Sequence, residues 1–345
     1  MTARPGRILV VKPSALGDVL RSMPVAASLR AAFPGSELHW LVQDDFADAV
    51  RGHPAVARAM AFPRRAWKAW WSPAVLADVR RFAGHLREAR YDLAIDLQGL
   101  FRSGFFLAAC GAPRRVGWQE AREFAWLGAN ERHRRRGGPD ATETMLALLE
   151  DAGVTPVRDA RVHVPAAAIE SWRRRARRLG LHEGFVMLAP TSRWAAKRWP
   201  APMWRELAAS LLAEGRRVVL VGAPSERAQV AAAMPAGGAV NLCGELPLAE
   251  WLAAIGDASA VVANDSAAVH AAAGLGRPLV GVYGVTDPAS VGPYRRPESV
   301  EAAAGPPPTD PHAYRDDRLQ ARMASIPVEA VRARLEGELR RGARW

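Results

Sequence analysis

Four polar clusters in this chain have the residue types and spacing to do chemistry, and each falls where an apolar run gives way to a helical pattern. The first lies in V-V-K-P-S-A-L-G-D-V-L-R-S-M-P, residues 10–24, where Lys12, Ser14, Gly17 and Asp18 separate a buried strand from an amphipathic helix. A helix start accommodates a carboxylate as a first-turn anion or N-cap, which accounts for the position of Asp18 but not for its neighbours. The second, T-S-R-W-A-A-K-R-W-P at 191–200, brings Thr191, Ser192, an arginine and Lys197 together. Two hydroxyls and a compact ammonium suit a diphosphate; a solvated loop whose tryptophans anchor the next helix is the plainer alternative. The third, N-D-S-A-A-V-H at 264–270, sets Asp265 and Ser266 at a strand-to-helix junction, with Ala267 opening the helix and His270 a turn further on. Such a junction is an anion site, or simply an N-cap followed by a packed histidine. The fourth, G-A-P-S-E at 222–226, offers Glu226 to ribose hydroxyls.

A different kind of segment is P-R-R-A-W-K-A-W-W-S-P, residues 63–73, where Arg64, Arg65 and Lys68 interleave with three tryptophans. Nucleic acid would use such a segment by stacking on the rings. An anionic sugar would use it with carboxylates on the arginines and a ring face on Trp67, and a basic loop with its tryptophans pinned to the core needs neither. V-G-W-Q-E-A-R-E, 116–123, adds Arg122.

These clusters need a scaffold that collects strand ends. In the first half, apolar runs at 7–11, 37–42, 56–62 and 92–97 alternate with helical patterns at 19–32 and 75–89. After a basic helical stretch at 171–180 the alternation restarts, with strands at 185–190, 216–222, 239–243, 260–265 and 279–284. Apolar strands alternating with helices imply parallel sheets covered on both faces. Two such arrays predict an α/β chain of two doubly wound domains, 1–165 and 166–326, with ligands beyond the carboxyl ends of the strands in a cleft. A closing helix over 327–345 is expected to pack back on the first domain. The dinucleotide fingerprint G-x-G-x-x-G is absent.

Composition narrows the partners. The 345 residues carry a formal charge of +12, which favours acidic ligands: phosphates, nucleic acid or an anionic membrane surface. Of the 47 basic residues only Lys12, Lys68 and Lys197 are lysines, and all three lie in the segments above. No apolar run is long enough to span a membrane, and no apolar leader opens the chain, so a cytoplasmic protein is expected. Cys110 and Cys243 lie far apart with no metal spacing, so neither a disulfide nor a metal site is expected.

Taken together, the residues resemble glycosyltransferase family nine, the bacterial heptosyltransferases, over essentially the whole chain. The carriers are K-x-S-x-x-G-D-V-L, T-S-R-x-x-x-K-R-W-P, D-S-x-x-x-H and V-Y-G-x-T-D-P (282–288), in that family's order. R-R-x-W-K-A-W and W-Q-x-A-R-E look most like the heptosyltransferase I branch. The resemblance implies the GT-B fold, with two Rossmann-like domains facing across a cleft. It implies Asp18 as the base that deprotonates an acceptor hydroxyl. Thr191, Ser192 and Lys197 would hold the donor diphosphate, Asp265, Ser266, Ala267 and His270 the donor sugar and phosphates, and Glu226 the ribose. Lys12, Ser14, Arg64, Arg65, Lys68 and Arg122 would face an anionic acceptor. Ala267 departs from the glycine usual there, and the 192–197 loop is longer than in near relatives.

The implied reaction is inverting transfer of heptose from ADP-heptose to Kdo of Kdo₂-lipid A, with no cofactor or metal and no nucleic acid. It would take place at the cytoplasmic face of the inner membrane. Alternatives are a heptosyltransferase II or another family-nine enzyme with a different acceptor or sugar, a nucleotide-sugar epimerase of the same fold, and a non-enzymatic nucleic-acid binder. The arginine runs 132–136 and 173–178 read as solvated faces or as a patch for an anionic leaflet.

Overall fold

A computed structural model describes residues 4–69, 71–181, 184–310 and 312–342. Trp70, in the basic tryptophan segment, and 343–345 of the expected closing helix lie outside the described residues. The chain divides into two compact units, the first ending at His163 and the second beginning at Val164.

In the first unit, strands β1 (Arg7–Val11), β2 (Glu37–Gln43), β3 (Val56–Phe62), β4 (Leu93–Asp96), β5 (Arg114–Trp118) and β6 (Glu131–His133) form one parallel sheet in the order 3-2-1-4-5-6. In the second, β7 (Val186–Ala189), β8 (Val218–Leu220), β9 (Val240–Asn241), β10 (Ala260–Asn264), β11 (Leu279–Tyr283) and β12 (Val300–Ala302) repeat that winding, with β7 and β10 at the centre. The central strands are the apolar runs of the sequence because helices cover both their faces: Leu9, Val10 and Val11 in β1 and Val186 to Leu188 in β7 are fully buried. Strand order reverses between β1 and β4, and again between β7 and β10. Those switch points are where open α/β sheets bind ligands.

β5, β6 and β12 are absent from the sequence reading. The first two carry arginines where apolar residues were sought. Arg114 reaches across to Glu131 with two hydrogen bonds, 2.7 and 2.9 Å, so an ion pair joins the two strands beside the buried Val116 and Trp118. The helix expected over 19–32 is two helices, Leu16–Arg21 and Met23–Ala32. Pro24, which has no N–H to donate, sits in the first turn of the second helix, and the Ser22 hydroxyl donates to the Asp18 carbonyl at 2.6 Å.

One expectation is overturned. The closing helix, Val328–Arg341, belongs to the second unit, not the first. Val328, Val331 and Leu335 fall on one face and join the core built by Val186, Leu188, Val280 and Val282. Arg296 and Glu338, both buried, pair at 3.0 Å and tie the helix down, and Arg334 pairs with Glu301 of β12 at 2.6 Å. The helix Ala166–Arg178 buries Trp172 and Ala176 and turns most of the 173–178 arginines to solvent, as a solvated face would. Cys110 and Cys243 are each buried and unbridged, and among the described residues no helix is long and apolar enough to cross a membrane.

Candidate active-site residues of each unit

At the first switch point the chain leaves β1 at Lys12 and β4 at Leu97, and Val11 and Asp96 are register partners. Asp96 is buried, and its carboxylate closes its own turn: Oδ1 accepts from the N–H groups of Gln98 and Gly99 at 2.8 and 3.1 Å, and Oδ2 from the Ser103 hydroxyl at 2.8 Å. Burial raises its pKa, and these hydrogen bonds oppose the rise. Lys12 is also buried and donates to the Leu97 carbonyl at 3.3 Å. Burial lowers its pKa, although Asp18 and Asp96 both favour its charged form.

Asp18 sits in the first turn of Leu16–Arg21, half-buried, with the Ala15 N–H directed at Oδ2 over a long 3.4 Å. It lines a cavity of about 200 Å³ together with Lys12, Arg21, Gln98, Trp118 and Arg135. Arg21 is 3.6 Å from Asp140. The Arg135 guanidinium lies 4.7 Å from the Trp118 ring centroid, and among the described residues no carboxylate forms an ion pair with it. The carboxylate therefore shares its cavity with three cations. Ser14 is half-buried in the loop after β1.

The remaining acceptor-side residues also lie past the carboxyl ends of strands. Arg64 Nη1 donates to Gln43 Oε1 at 3.2 Å, Arg65 pairs with Asp45 at 3.1 Å and is largely exposed, and Lys68 ends an exposed turn. Trp67 does not offer a free ring face. It stacks on Phe62 with centroids 5.6 Å apart and packs on Phe82 and Phe106, so for this tryptophan the pinned-loop alternative holds. The Arg122 N–H donates to the Gly99 carbonyl at 3.0 Å, which brings its exposed side chain to the β4 loop.

At the second switch point Asn264, fully buried, ties the strand ends together. Its Nδ2 donates to the Pro190 carbonyl at 2.8 Å, and its Oδ1 accepts from the Trp199 N–H at 3.0 Å. Thr191, which follows Pro190, and Asp265, which follows Asn264, thereby leave the same end of the sheet. Lys197 pairs with Asp265 Oδ2 at 2.6 Å, an oxygen that also accepts from Thr286 Oγ1 at 2.7 Å, and the ammonium lies 4.9 Å from the Tyr314 ring centroid. Ser266 caps the helix Ala267–Gly274 without a side-chain hydrogen bond, so its hydroxyl is not spent on the cap. Ala267 takes the first helical position, and His270 is buried one turn on. Glu226 turns one oxygen onto its own loop: Oε2 accepts from the Ala223 N–H at 2.8 Å.

The sequence reading missed Asp96, Arg21, Arg135 and Thr286. Arg135 stood inside a run read as a solvated face. Its neighbours do behave that way: Arg136 pairs with Glu150 and Asp151 on the surface. Trp118 on β5, a strand not expected, holds Arg135 at the Asp18 cavity and so sets it apart from Arg136. Thr286 lies in V-Y-G-x-T-D-P, a motif used for the resemblance and left without a role.

Comparison with known proteins follows the same lines. Residues 79–307 match the model of glycosyltransferase family 9 (heptosyltransferase). Lipopolysaccharide heptosyltransferase 1 of Escherichia coli K12 is 32% identical over 301 residues, covering 85% of this chain and 92% of that protein. Lipopolysaccharide heptosyltransferase 2 of the same strain is 29% identical, covering 82% and 84%. The structure of E. coli heptosyltransferase WaaC with ADP superposes with a TM-score of 0.76 at 27% identity, over 96% of this chain and 99% of that one.

Proposed function

The chain belongs to glycosyltransferase family 9, a family of GT-B fold, and from that premise we propose that it moves L-glycero-D-manno-heptose from ADP-heptose to Kdo of Kdo₂-lipid A, with inversion. On this reading Asp18 takes the proton of the acceptor hydroxyl as that oxygen attacks the anomeric carbon opposite the leaving ADP. General-base help of this kind contributes ~10²–10⁴ in rate. Lys12 and Arg135 hold an acceptor carboxylate beside it, and Arg64, Arg65, Lys68 and Arg122 meet further anionic groups. In the second unit Thr191, Ser192 and Lys197 bind the diphosphate and stabilise the charge that develops as it leaves, with Ser266 and the helix start at Ala267 adding donors. Glu226 serves the ribose and His270 the donor sugar. Asp265 holds the Lys197 ammonium in place until phosphate oxygens displace it. The chemistry is metal-independent on this account, since side-chain cations neutralise the diphosphate.

The observation that carries the reading is a half-buried carboxylate in a cation-lined cavity at one switch point, in a chain whose other switch point gathers a lysine and hydroxyls. A donor screen tests it: ADP-heptose, ADP-glucose, UDP-GlcNAc and GDP-mannose, each with Kdo₂-lipid A, following release of nucleoside diphosphate. The expected result is ADP release with ADP-heptose alone, unchanged by a chelator. Turnover only on an already heptosylated core would favour the second reading, a heptosyltransferase II, which the 29% identical relative keeps open. Isomerisation of a UDP-sugar without acceptor would replace both. The site of action on this reading is the cytoplasmic face of the inner membrane, where the lipid acceptor is presented.

A further inference from the structure

Beside the β4 loop, the first unit exposes large apolar side chains that its core does not use. Phe101 and Phe105 are 63% and 40% exposed, one turn apart on the helix Phe101–Ala109, whose opposite face buries Phe106 and Leu107. Phe124 and Leu127 are 72% and 62% exposed, one at the cap and the other inside a single 3₁₀ turn, Ala125–Gly128. The two pairs form one rigid feature. Gly104 of the helix lies against the backbone of Ala125, and Gly128 against the backbone of Gly104, so closely that a Cβ at either glycine would strike the other segment. Phe101 N–H donates to Glu123 Oε2 at 3.1 Å, which joins the helix start to the loop. Glu123 and Phe124 both hold left-handed backbone, φ 54° and 58°, a conformation costly for an aromatic residue and here spent on pointing it outward.

Cations fringe the knob. The Arg102 guanidinium lies 5.9 Å from the Phe62 ring centroid, and that of Arg132 lies 4.9 Å from the Trp126 ring. Among the described residues neither is in an ion pair, although the Glu123 carboxylate lies near enough to Arg102 to favour its charged form. Arg102 is also close enough to Arg64 for the two to repel, which places the knob next to the residues assigned to the anionic acceptor.

We propose that Phe101, Phe105, Phe124 and Leu127, with Arg102 and Arg132, form the surface by which the protein docks on an anionic lipid bilayer. The proposal deepens the reading above by naming the face through which a lipid acceptor is met. Aromatic and aliphatic side chains enter the headgroup–acyl boundary while the arginines stay at the level of the lipid phosphates. Charge selects this occupant over a second copy of the chain: the surface is cationic on a molecule of net charge +12, so two such faces would repel.

Co-sedimentation with phosphatidylcholine vesicles, with and without phosphatidylglycerol, tests the proposal on the full chain and on a Phe124→Ser, Leu127→Ser double variant. The wild type is expected to bind the phosphatidylglycerol vesicles, more weakly at high salt, and the variant to lose about tenfold or more of that affinity. The variant should keep its melting temperature and its rate on a deacylated, water-soluble acceptor. The proposal is overturned if the wild type ignores the anionic vesicles, or if the variant binds them equally. It is also overturned if the variant loses turnover on the soluble acceptor, or if the wild type is a dimer that the variant dissolves while neither binds lipid. Vesicle binding is read without turnover, and soluble-acceptor turnover without vesicles, so a failed docking surface and a failed transfer reaction give different results.

Discussion

Asp18 is the residue on which the proposed chemistry turns, and its setting was half visible in advance. Its place in the first helical turn follows from the sequence. The three cations around it come from the residue after β1, the helix that follows, and the segment past β6, which only folding brings together. Asp18→Asn keeps the shape and removes the base. It is expected to bind ADP-heptose as the wild type does while kcat falls by ~10²–10⁴, and single-turnover kinetics with a donor-binding titration would read both. Normal turnover would remove Asp18 from the reaction. Arg135→Ala makes a separate claim: the acceptor KM rises about tenfold or more, the loss of one charge-assisted contact, with the donor KM unchanged. An acceptor whose carboxylate is esterified should bind the wild type worse and the variant no differently, whereas a merely structural arginine would show no such dependence.

Among the elements, the central strands were legible because burial on both faces forces continuous apolar runs, and no tertiary knowledge is needed to see them. β5 and β6 were not: β5 is short and opens on Arg114 and Arg115, and β6 is an edge strand stabilised by whatever borders it, here Arg114 on Glu131, so neither carries a long apolar run. The turn Ala125–Gly128 was hidden for a related reason: it exists by backbone contact with the helix Phe101–Ala109 at Gly104, where an added Cβ would lie 2.5 Å from the Ala125 carbonyl oxygen. Gly104→Ala is therefore expected to destabilise the first unit by about 1–3 kcal/mol, the usual range for overpacking. Urea unfolding measures it, and an unchanged midpoint would mean the two segments are not in backbone contact.

For the whole molecule, acid is expected to act on the first unit through His53. This histidine is 6% exposed, lies edge-on to His163 at 5.0 Å, and uses Nδ1 to accept from the Ala55 N–H at 3.2 Å, which suits the neutral ring. Burial, then the charge of His163, with Arg161 and Arg30 adding to it and Asp159 opposing, lowers its pKa from 6.5 to about 4. Between those values the unfolded chain holds the proton and the folded one does not, so stability falls as pH drops, by about 2 kcal/mol at pH 5. Urea midpoints near pH 7 and pH 5 would show this slope, and His53→Gln should flatten it; an equal slope in the variant would assign the loss to other groups.

The sequence by itself determined the two parallel α/β arrays, the strand-to-helix junctions that carry Asp18 and Lys197, and the family, because each depends on residues that are near one another along the chain. Tertiary structure alone decided that the closing helix serves the second sheet, that Trp67 is packed away, and that Arg135 lies over Trp118 at the Asp18 cavity while Arg136 pairs with Glu150 and Asp151. Apolar periodicity states how much of a helix or ring must be buried. It does not state against what, since that partner is supplied by residues far away in the chain.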